Sequence, residues 1–134
     1  IGSGRPFSSF GPGLEAYGPT PVVQLAVQRD RADLTERIAA RYHRQMADGF
    51  LDEVRALAER NLSRTARQAL GYKELLDHVE GRLTLDEALD LAMRRTRTFA
   101  VRQERWFRRD PRVRWVAPED FVRQAEELLA AWAP

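Results

Sequence analysis

Arginine side chains are concentrated between residues 94 and 114, where nine of them accompany only two acidic residues, Glu104 and Asp110. The local net charge is therefore +7, whereas the whole chain carries +2, so the remaining residues sum to −5. Guanidinium groups bind phosphates and stack on aromatic planes, and a charge this uneven is typical of a surface that binds a polyanion. The alternative is a solvated, arginine-rich helix face that only completes a packed helix.

Helical spacing separates this stretch into two faces at about 100° per residue. A row of arginines follows the spacing i, i+7, i+10 and i+14, and consists of Arg95, Arg102, Arg105 and Arg109. The other face is mostly apolar and consists of Leu85, Leu89, Ala92, Thr96, Phe99, Ala100, Trp106 and Phe107. Trp106 lies at the seam, where an aromatic ring beside arginines suits RNA. Gln103 falls within the apolar face, where an unpartnered amide is costly.

The amino-acid composition limits the classes of protein to which this chain can belong. The chain has 134 residues, of which 43% are hydrophobic and 31% charged, and this composition predicts one soluble domain. Cysteine is absent, so disulfides and thiolate metal sites are excluded. The two histidines lie far apart in the sequence, which argues against a zinc site. No apolar run approaches about 20 residues and no secretory signal opens the chain, so we expect no membrane association and a cytoplasmic location. A first residue other than Met suggests a chain cut from something longer.

The remaining pattern predicts a mostly helical fold with one or two strands. Residues 1–21 are dense in Gly and Pro and predict a loop, but no Gly-Lys pair is present, so this loop does not match a Walker A motif. Residues 22–27 predict a buried strand, and the only candidate partner is an alternating segment at residues 113–116. Five helices are predicted: Ala32–Gly49, Leu51–Arg60, Tyr72–Glu80, Leu85–Arg109 and Glu119–Trp132.

Several signals place the helix ends and faces. Asp30 is expected to cap the first helix, and Thr84 with Glu87 forms a capping-box pattern before the long one. Six side chains of the last helix are expected to face the protein interior: Phe121, Val122, Ala125, Leu128, Leu129 and Trp132. On the first helix, Arg37 and Arg41 flank an apolar stripe. They suit either surface pairing with acidic neighbours or a two-arginine clamp on a phosphate.

Three blocks in this order and spacing resemble the C-terminal half of bacterial tRNA dimethylallyltransferases. They are residues 36–46 (ERIAARYHRQM) with Gly-Phe at 49–50 and Glu-Val at 53–54, residues 68–74 (QALGYKE), and residues 102–108 (RQERWFR). The opening residues 4–7 (GRPF) also fit this family. The resemblance extends to about Val116.

The resemblance implies transfer of a dimethylallyl group from dimethylallyl diphosphate to N6 of the adenosine immediately 3′ of a tRNA anticodon. It also implies a fold like that of P-loop kinases, nucleotide (ATP) binding, Mg²⁺ assisting the diphosphate, and a monomeric full enzyme. The target adenine must leave its stack to react. The chain would then be a single C-terminal part of such an enzyme: a loop over 1–21, a core-sheet strand over 22–27, and a helical tRNA-binding part over 31–134.

Site residues follow from the same resemblance. One segment that contacts the anticodon stem-loop would consist of Gln68, Ala69, Leu70, Gly71, Tyr72 and Lys73. A second would consist of Arg102, Gln103, Arg105, Trp106 and Arg108. Arg41, and secondarily Arg37, would stabilise charge on the leaving diphosphate. Members of the family commonly have a basic residue where this chain has Val101, and Thr where it has Arg105.

The family's phosphate loop and catalytic Asp lie N-terminal to the matching segments, and neither occurs in these 134 residues. The sequence therefore predicts that this chain alone does not catalyse prenyl transfer, and that its first strand pairs within a missing N-terminal half. A stand-alone helical RNA-binding module without chemistry is the alternative, and a purely structural piece is the third possibility.

Overall fold

A computed structural model describes residues 23–60 and 62–132, so the whole predicted Gly- and Pro-rich loop, with its GRPF segment, lies outside the described residues. The described chain is mostly helical with one two-stranded sheet, as predicted. The elements in order are β1 (Gln24–Val27), α1 (Arg31–Ala47), α2 (Phe50–Ala58), a 3₁₀ turn (Ala66–Gln68), α3 (Tyr72–Val79), α4 (Leu85–Phe107), β2 (Val113–Val116), a 3₁₀ turn (Pro118–Asp120) and α5 (Phe121–Ala131). All five predicted helices are present. Pro118 opens a 3₁₀ turn, so α5 begins slightly later than predicted.

The described residues divide into two compact units, one that includes residues 23–29 and 103–132, the other within residues 30–102. In the first unit β1 and β2 pair in parallel, with Gln24 opposite Val113 and Val27 opposite Val116. The only candidate partner strand in the sequence is thus the one that β1 pairs with among the described residues. Helix α5 contacts β1 in this unit.

Helix α5 corrects one prediction. Of the six residues expected to turn inward, only Ala125 and Leu128 are half-buried, whereas Phe121, Val122, Leu129 and Trp132 are exposed, Leu129 by 71%. The apolar stripe exists in the sequence, but among the described residues β1 offers it only a narrow contact. Amphipathic spacing predicts which face can be buried and does not show what covers it.

The second unit contains the core. Each of its four helices contributes residues to one apolar cluster, which consists of Ile38, Tyr42, Phe50, Val54, Leu75, Leu76, Ala88 and Ala92. Two hydroxyls are buried with it, and the Oη of Tyr42 lies 3.0 Å from the Oγ1 of Thr96. This hydrogen bond joins α1 to α4 beside the packed residues.

Local sequence sets the helix ends of this unit. The Asp30 carboxylate accepts from the amide of Ala32 at 2.7 Å, so the predicted N-cap of α1 is confirmed. The predicted capping box is also confirmed, because the Thr84 amide donates to the Glu87 carboxylate at 2.8 Å and the Glu87 amide donates back to the Thr84 hydroxyl at 3.3 Å.

The apolar face of α4 is packed only along its first half. Ala88, Ala92 and Thr96 are buried, but Phe99 is 42% exposed and Trp106 is 51% exposed. Gln103, which was predicted within the apolar face, is exposed, so its amide is not buried and the expected cost does not arise. Helical spacing therefore identifies the apolar face of α4, and only the first half of that face is buried among the described residues.

The backbone at Gly71 generates the first prediction. Gly71 has φ +87°, and a Cβ there would approach the Tyr42 hydroxyl at 3.1 Å, whereas Gly81 has φ +75° and open space. Gly81→Ala should cost about 1 kcal/mol of unfolding free energy from backbone strain, and Gly71→Ala about 2–3 kcal/mol because crowding adds to strain. Urea unfolding followed by circular dichroism measures both. Equal losses would show that the Tyr42 contact imposes no constraint.

Candidate nucleic-acid interface

The segment Gln68–Lys73 has an exposed half and an anchored half. Gln68, Ala69 and Leu70 are exposed, whereas Gly71 is buried and Tyr72 and Lys73 are half-buried. The exposed tripeptide begins with the last residue of the 3₁₀ turn and runs toward α3, and so connects two ordered elements. Of the six predicted contact residues, these three therefore offer the most surface to a ligand.

Glu74 holds the anchored half from within. Its side chain is only 1% exposed, and Oε2 accepts the Gly71 amide at 2.9 Å. Its other carboxylate oxygen accepts from the Arg95 guanidinium on α4. Because the Gly71 amide is one of the orphan donors at the start of α3, this carboxylate closes the helix end and fixes the preceding backbone together.

Tyr72 is anchored by its ring and its hydroxyl. The ring lies edge-on to Phe50 with 4.9 Å between centroids, and the hydroxyl donates to Glu53 at 2.8 Å. The hydrogen bond to Glu53, together with partial burial, raises the pKa of Tyr72 above its ordinary value. Tyr72 therefore stays protonated across the physiological range, and its hydroxyl keeps donating to Glu53 on α2.

Lys73 already has an anionic partner. Its ammonium lies 3.2 Å from the Asp77 carboxylate, which also accepts from Arg82 at 2.9 Å. Burial of Asp77 opposes its ionisation, but the hydrogen bonds from Arg82 and Lys73 outweigh this, so the pKa of Asp77 lies below its ordinary value. A phosphate that approaches Lys73 would have to share it with Asp77.

The Glu80 carboxylate also binds Arg67, the residue just before the exposed tripeptide. Glu80 pairs with both Arg67 and Arg82, and hydrogen bonds from Arg67 and then from Arg82 lower its pKa. The Ser63 hydroxyl also accepts the Ala66 amide at 3.1 Å, as expected of a cap. Acidic side chains therefore fix the backbone and side chains on both sides of residues 68–70.

The C-terminal half of α4 presents arginines that have no acidic partner among the described residues. Arg102 and Arg105 are both exposed, one turn apart on this helix, and neither forms an ion pair within residues 23–60 and 62–132. Trp106 follows them, half-exposed, with its ring edge-on to Phe107 at 4.9 Å between centroids. Exposed guanidiniums beside an exposed indole can bind phosphate and stack on a base.

Two other arginines are occupied, one on α4 and one directly after its end. Arg95, predicted in the same row as Arg102, pairs with Glu74. Arg108 binds Glu104 through Nε at 2.9 Å and Nη2 at 2.8 Å, and lies 4.7 Å above the Trp115 ring. The predicted row is therefore divided between arginines that support the structure and arginines that remain available.

The two arginines of α1 also differ. Arg37 pairs with Asp33 at 2.8 Å, which is the surface pairing that the sequence allowed. Arg41 is exposed, forms no ion pair with a described residue, and lies 5.8 Å from the Tyr42 ring centroid. Arg41 is thus the one of the two whose charge is available to a ligand.

Sequence reasoning assigned no role to Glu74, and placed its partner Arg95 in the ligand-facing row. One signal could have found it, since Glu74 follows Gly71 by three residues, which is the spacing of a glutamate that caps the start of a helix. The pairing across 21 residues with Arg95 has no comparable local signal.

Within residues 23–60 and 62–132, no three His, Asp or Glu side chains lie together in a way that could hold a metal ion. None of the helices in this part of the chain is long and apolar enough to cross a membrane.

Comparison with known proteins then defines the class. The sequence profile of the family described as IPP transferase matches residues 1–110. The chain belongs to the IPP transferase family.

Several individual proteins are similar to this chain in sequence or structure. The tRNA dimethylallyltransferase of Kineococcus radiotolerans is 47% identical over 135 residues, which cover 95% of this chain and 42% of the relative. That of Streptomyces coelicolor is 47% identical over 117 residues, which cover 86% and 37%. The crystal structure of the tRNA isopentenylpyrophosphate transferase from Bacillus halodurans matches with a TM-score of 0.73 and 31% identity, over 81% of this chain and 38% of that one. The chain thus spans about two fifths of the length of these relatives.

Asp77 generates a prediction for the anchored half. Because its folded pKa is lowered, its ionised form stabilises the fold above the ordinary value of 3.8, and this contribution is lost as pH falls through the folded pKa. Asp77→Asn should therefore cost roughly 1 kcal/mol at pH 7 and progressively less below about pH 4. Urea midpoints at pH 7 and pH 3 measure the difference.

Asp90→Asn is the matched control, since Asp90 is an exposed carboxylate on α4 with no ion pair among the described residues. It should be neutral at both pH values. A loss for Asp77→Asn that is the same at pH 3 as at pH 7 would contradict an ionic origin.

Proposed function

We propose that this chain is the tRNA-holding part of a tRNA dimethylallyltransferase. The proposal rests on Arg102 and Arg105, which are exposed and form no ion pair among the described residues, beside the half-exposed Trp106, together with the exposed tripeptide at residues 68–70. Both segments coincide with the positions that the family resemblance assigns to the anticodon stem-loop. The names of the relatives, which are tRNA dimethylallyltransferases, support tRNA as the substrate.

The proposed reaction moves a dimethylallyl group from its diphosphate to N6 of the adenosine 3′ of the anticodon. A bond from N6 to the allylic carbon forms, the bond from that carbon to the diphosphate oxygen breaks, and diphosphate leaves. The amine proton goes to a general base that these 134 residues do not supply. Arg41 is the residue of this chain proposed to stabilise the charge on the leaving diphosphate.

The sheet supports a larger α/β architecture. Parallel strands normally occur in sheets covered on both faces, yet the described sheet has only two strands, and Val27 at its end is exposed. We propose that the sheet is completed, in a fold like that of P-loop kinases, by sequence that relatives carry beyond the match. The chain alone is then inactive in prenyl transfer.

Arginine replacement tests the RNA surface. In the 134-residue chain, the double change Arg102→Ala and Arg105→Ala should weaken binding to an anticodon stem-loop RNA. It should also reduce the slope of log affinity against log salt by roughly 1–2 units, because two phosphate contacts are lost. Fluorescence anisotropy across a salt series measures the slope.

The control removes two arginines that already pair with acids, as Arg55→Ala with Arg123→Ala, because their partners are Asp52, Asp120 and Glu127. This variant has the same net charge as the test variant and should change the slope by less than about half a unit. Equal slopes in the test variant and the unmodified chain would leave Arg102 and Arg105 as solvated surface.

A hybrid enzyme tests the chemistry. This chain, joined to the part of the Kineococcus relative that the match does not cover, should transfer a labelled dimethylallyl group to tRNA, whereas the chain alone should not. Arg41→Ala in the hybrid should lower kcat/KM for the diphosphate substrate at least about tenfold, because one cation is lost at the leaving group, and leave the KM for tRNA unchanged.

Arg44→Ala is the matched control, since Arg44 lies on the same helix, is exposed and has no ion pair among the described residues. It should leave both substrates unaffected. Normal kcat and normal KM in the Arg41 variant would remove Arg41 from the site. A hybrid that binds tRNA and the diphosphate but transfers nothing would favour the non-catalytic RNA-binding module.

A further inference from the structure

The carboxylate of Glu74 links the two segments proposed to contact RNA. One of its oxygens accepts the Gly71 amide at 2.9 Å, directly after the exposed tripeptide. The other accepts from Arg95, seven residues before Arg102 on the same face of α4. A single buried side chain therefore joins the loop to the helix that carries the available arginines.

Only a carboxylate can make this connection. Both partners of Glu74 are donors, so each oxygen must accept, and an amide of the same shape offers one acceptor and one donor. The side chain is 1% exposed, so water cannot readily replace either partner. A glutamine at this position must turn an N–H toward either the Gly71 amide or the Arg95 guanidinium.

We propose that Glu74 is a positioning residue for RNA, which sets the exposed loop at residues 68–70 at a fixed distance from the Arg102 turn of α4. This inference rests on the proposed function, because it assumes that both segments bind one RNA. Glu74 itself touches no ligand. It acts through Gly71 on one side and through Arg95 on the other, so that both surfaces are ordered before RNA arrives.

Glu74→Gln separates this role from a general electrostatic effect. The change removes a negative charge near a polyanion site, so electrostatics alone would leave RNA affinity the same or increase it. Loss of positioning instead weakens binding, by about five- to tenfold, because the loop must be ordered on binding. Anisotropy with the anticodon stem-loop RNA on the folded 134-residue chain gives the affinity, and circular dichroism at the same temperature confirms that the helices are retained.

A double-mutant cycle identifies the route. If Glu74 acts through the loop, Glu74→Gln should have little further effect in a background where Gln68→Ala and Leu70→Ala have already removed the loop's side-chain contacts. Full additivity, with the same loss in both backgrounds, would overturn the proposal.

Charge-conserving changes keep the test valid if Glu74→Gln fails to fold. Arg95→Lys preserves the charge but replaces the planar guanidinium with a single ammonium, and should weaken RNA binding several-fold. Arg94→Lys, at the neighbouring exposed residue with no ion pair among the described residues, should not.

The outcomes separate the two proposals. An unmodified chain that binds no RNA contradicts the proposed function. A chain that binds RNA, while a folded Glu74→Gln variant binds it as well or better, overturns the positioning role alone. Equal effects of Arg95→Lys and Arg94→Lys overturn it in the same way.

Discussion

The buried carboxylate of Glu74 is the interaction on which the candidate interface depends. An ionised carboxylate removed from water costs several kcal/mol unless its oxygens find donors, and a buried pair is costly to break from one side. Glu74 finds a backbone amide and a guanidinium, and its place in the first turn of α3 is also where the helix dipole favours negative charge. Without it, the left-handed Gly71, the start of α3 and the orientation of Arg95 would each lack their partner.

Around this centre, acidic residues divide the arginines by function. Carboxylates occupy Arg95, Arg108 and Arg37; the Arg95 pair joins α4 to α3, whereas the other two are pairs between residues four positions apart. Arg102, Arg105 and Arg41 keep their charge for a ligand, since none of them pairs with a described acid. Net charge alone predicts a polyanion surface but does not identify its members, because a paired arginine and a free one count equally in the sequence.

How much the sequence predicted follows from the range of the interactions. Local patterns located all five helices, the two strands, the Asp30 cap and the Thr84–Glu87 capping box, because each depends on residues a few positions apart or on one strong period. Ion pairs between residues four positions apart on a helix, such as Arg37 with Asp33, could also be anticipated from the sequence.

Features that depend on tertiary contacts were harder to predict from the sequence. The burial of α5 was predicted wrongly, because spacing defines an apolar face without identifying the surface that meets it. Glu74 with Arg95 was missed for a related reason, since the partner lies 21 residues away on another helix. The roles of Gln68–Lys73 and of Arg102–Arg108 came from the resemblance, and the structure adds which of these side chains are exposed and which are anchored.

A reaction on a base that is normally stacked explains why such anchoring would be useful. Removing an adenine from its stack costs a few kcal/mol, and this cost must be offset by contacts made only to the extruded form. A loop that has to be ordered at the same moment would consume part of that binding energy. Here Glu53, Glu74, Asp77 and Glu80 fix the chain on both sides of the exposed tripeptide before any ligand is present. Carboxylates that would repel RNA if they were exposed and unpaired are thus neutralised by hydrogen-bonded partners, and under the proposed function their contribution is to keep the contact surface rigid.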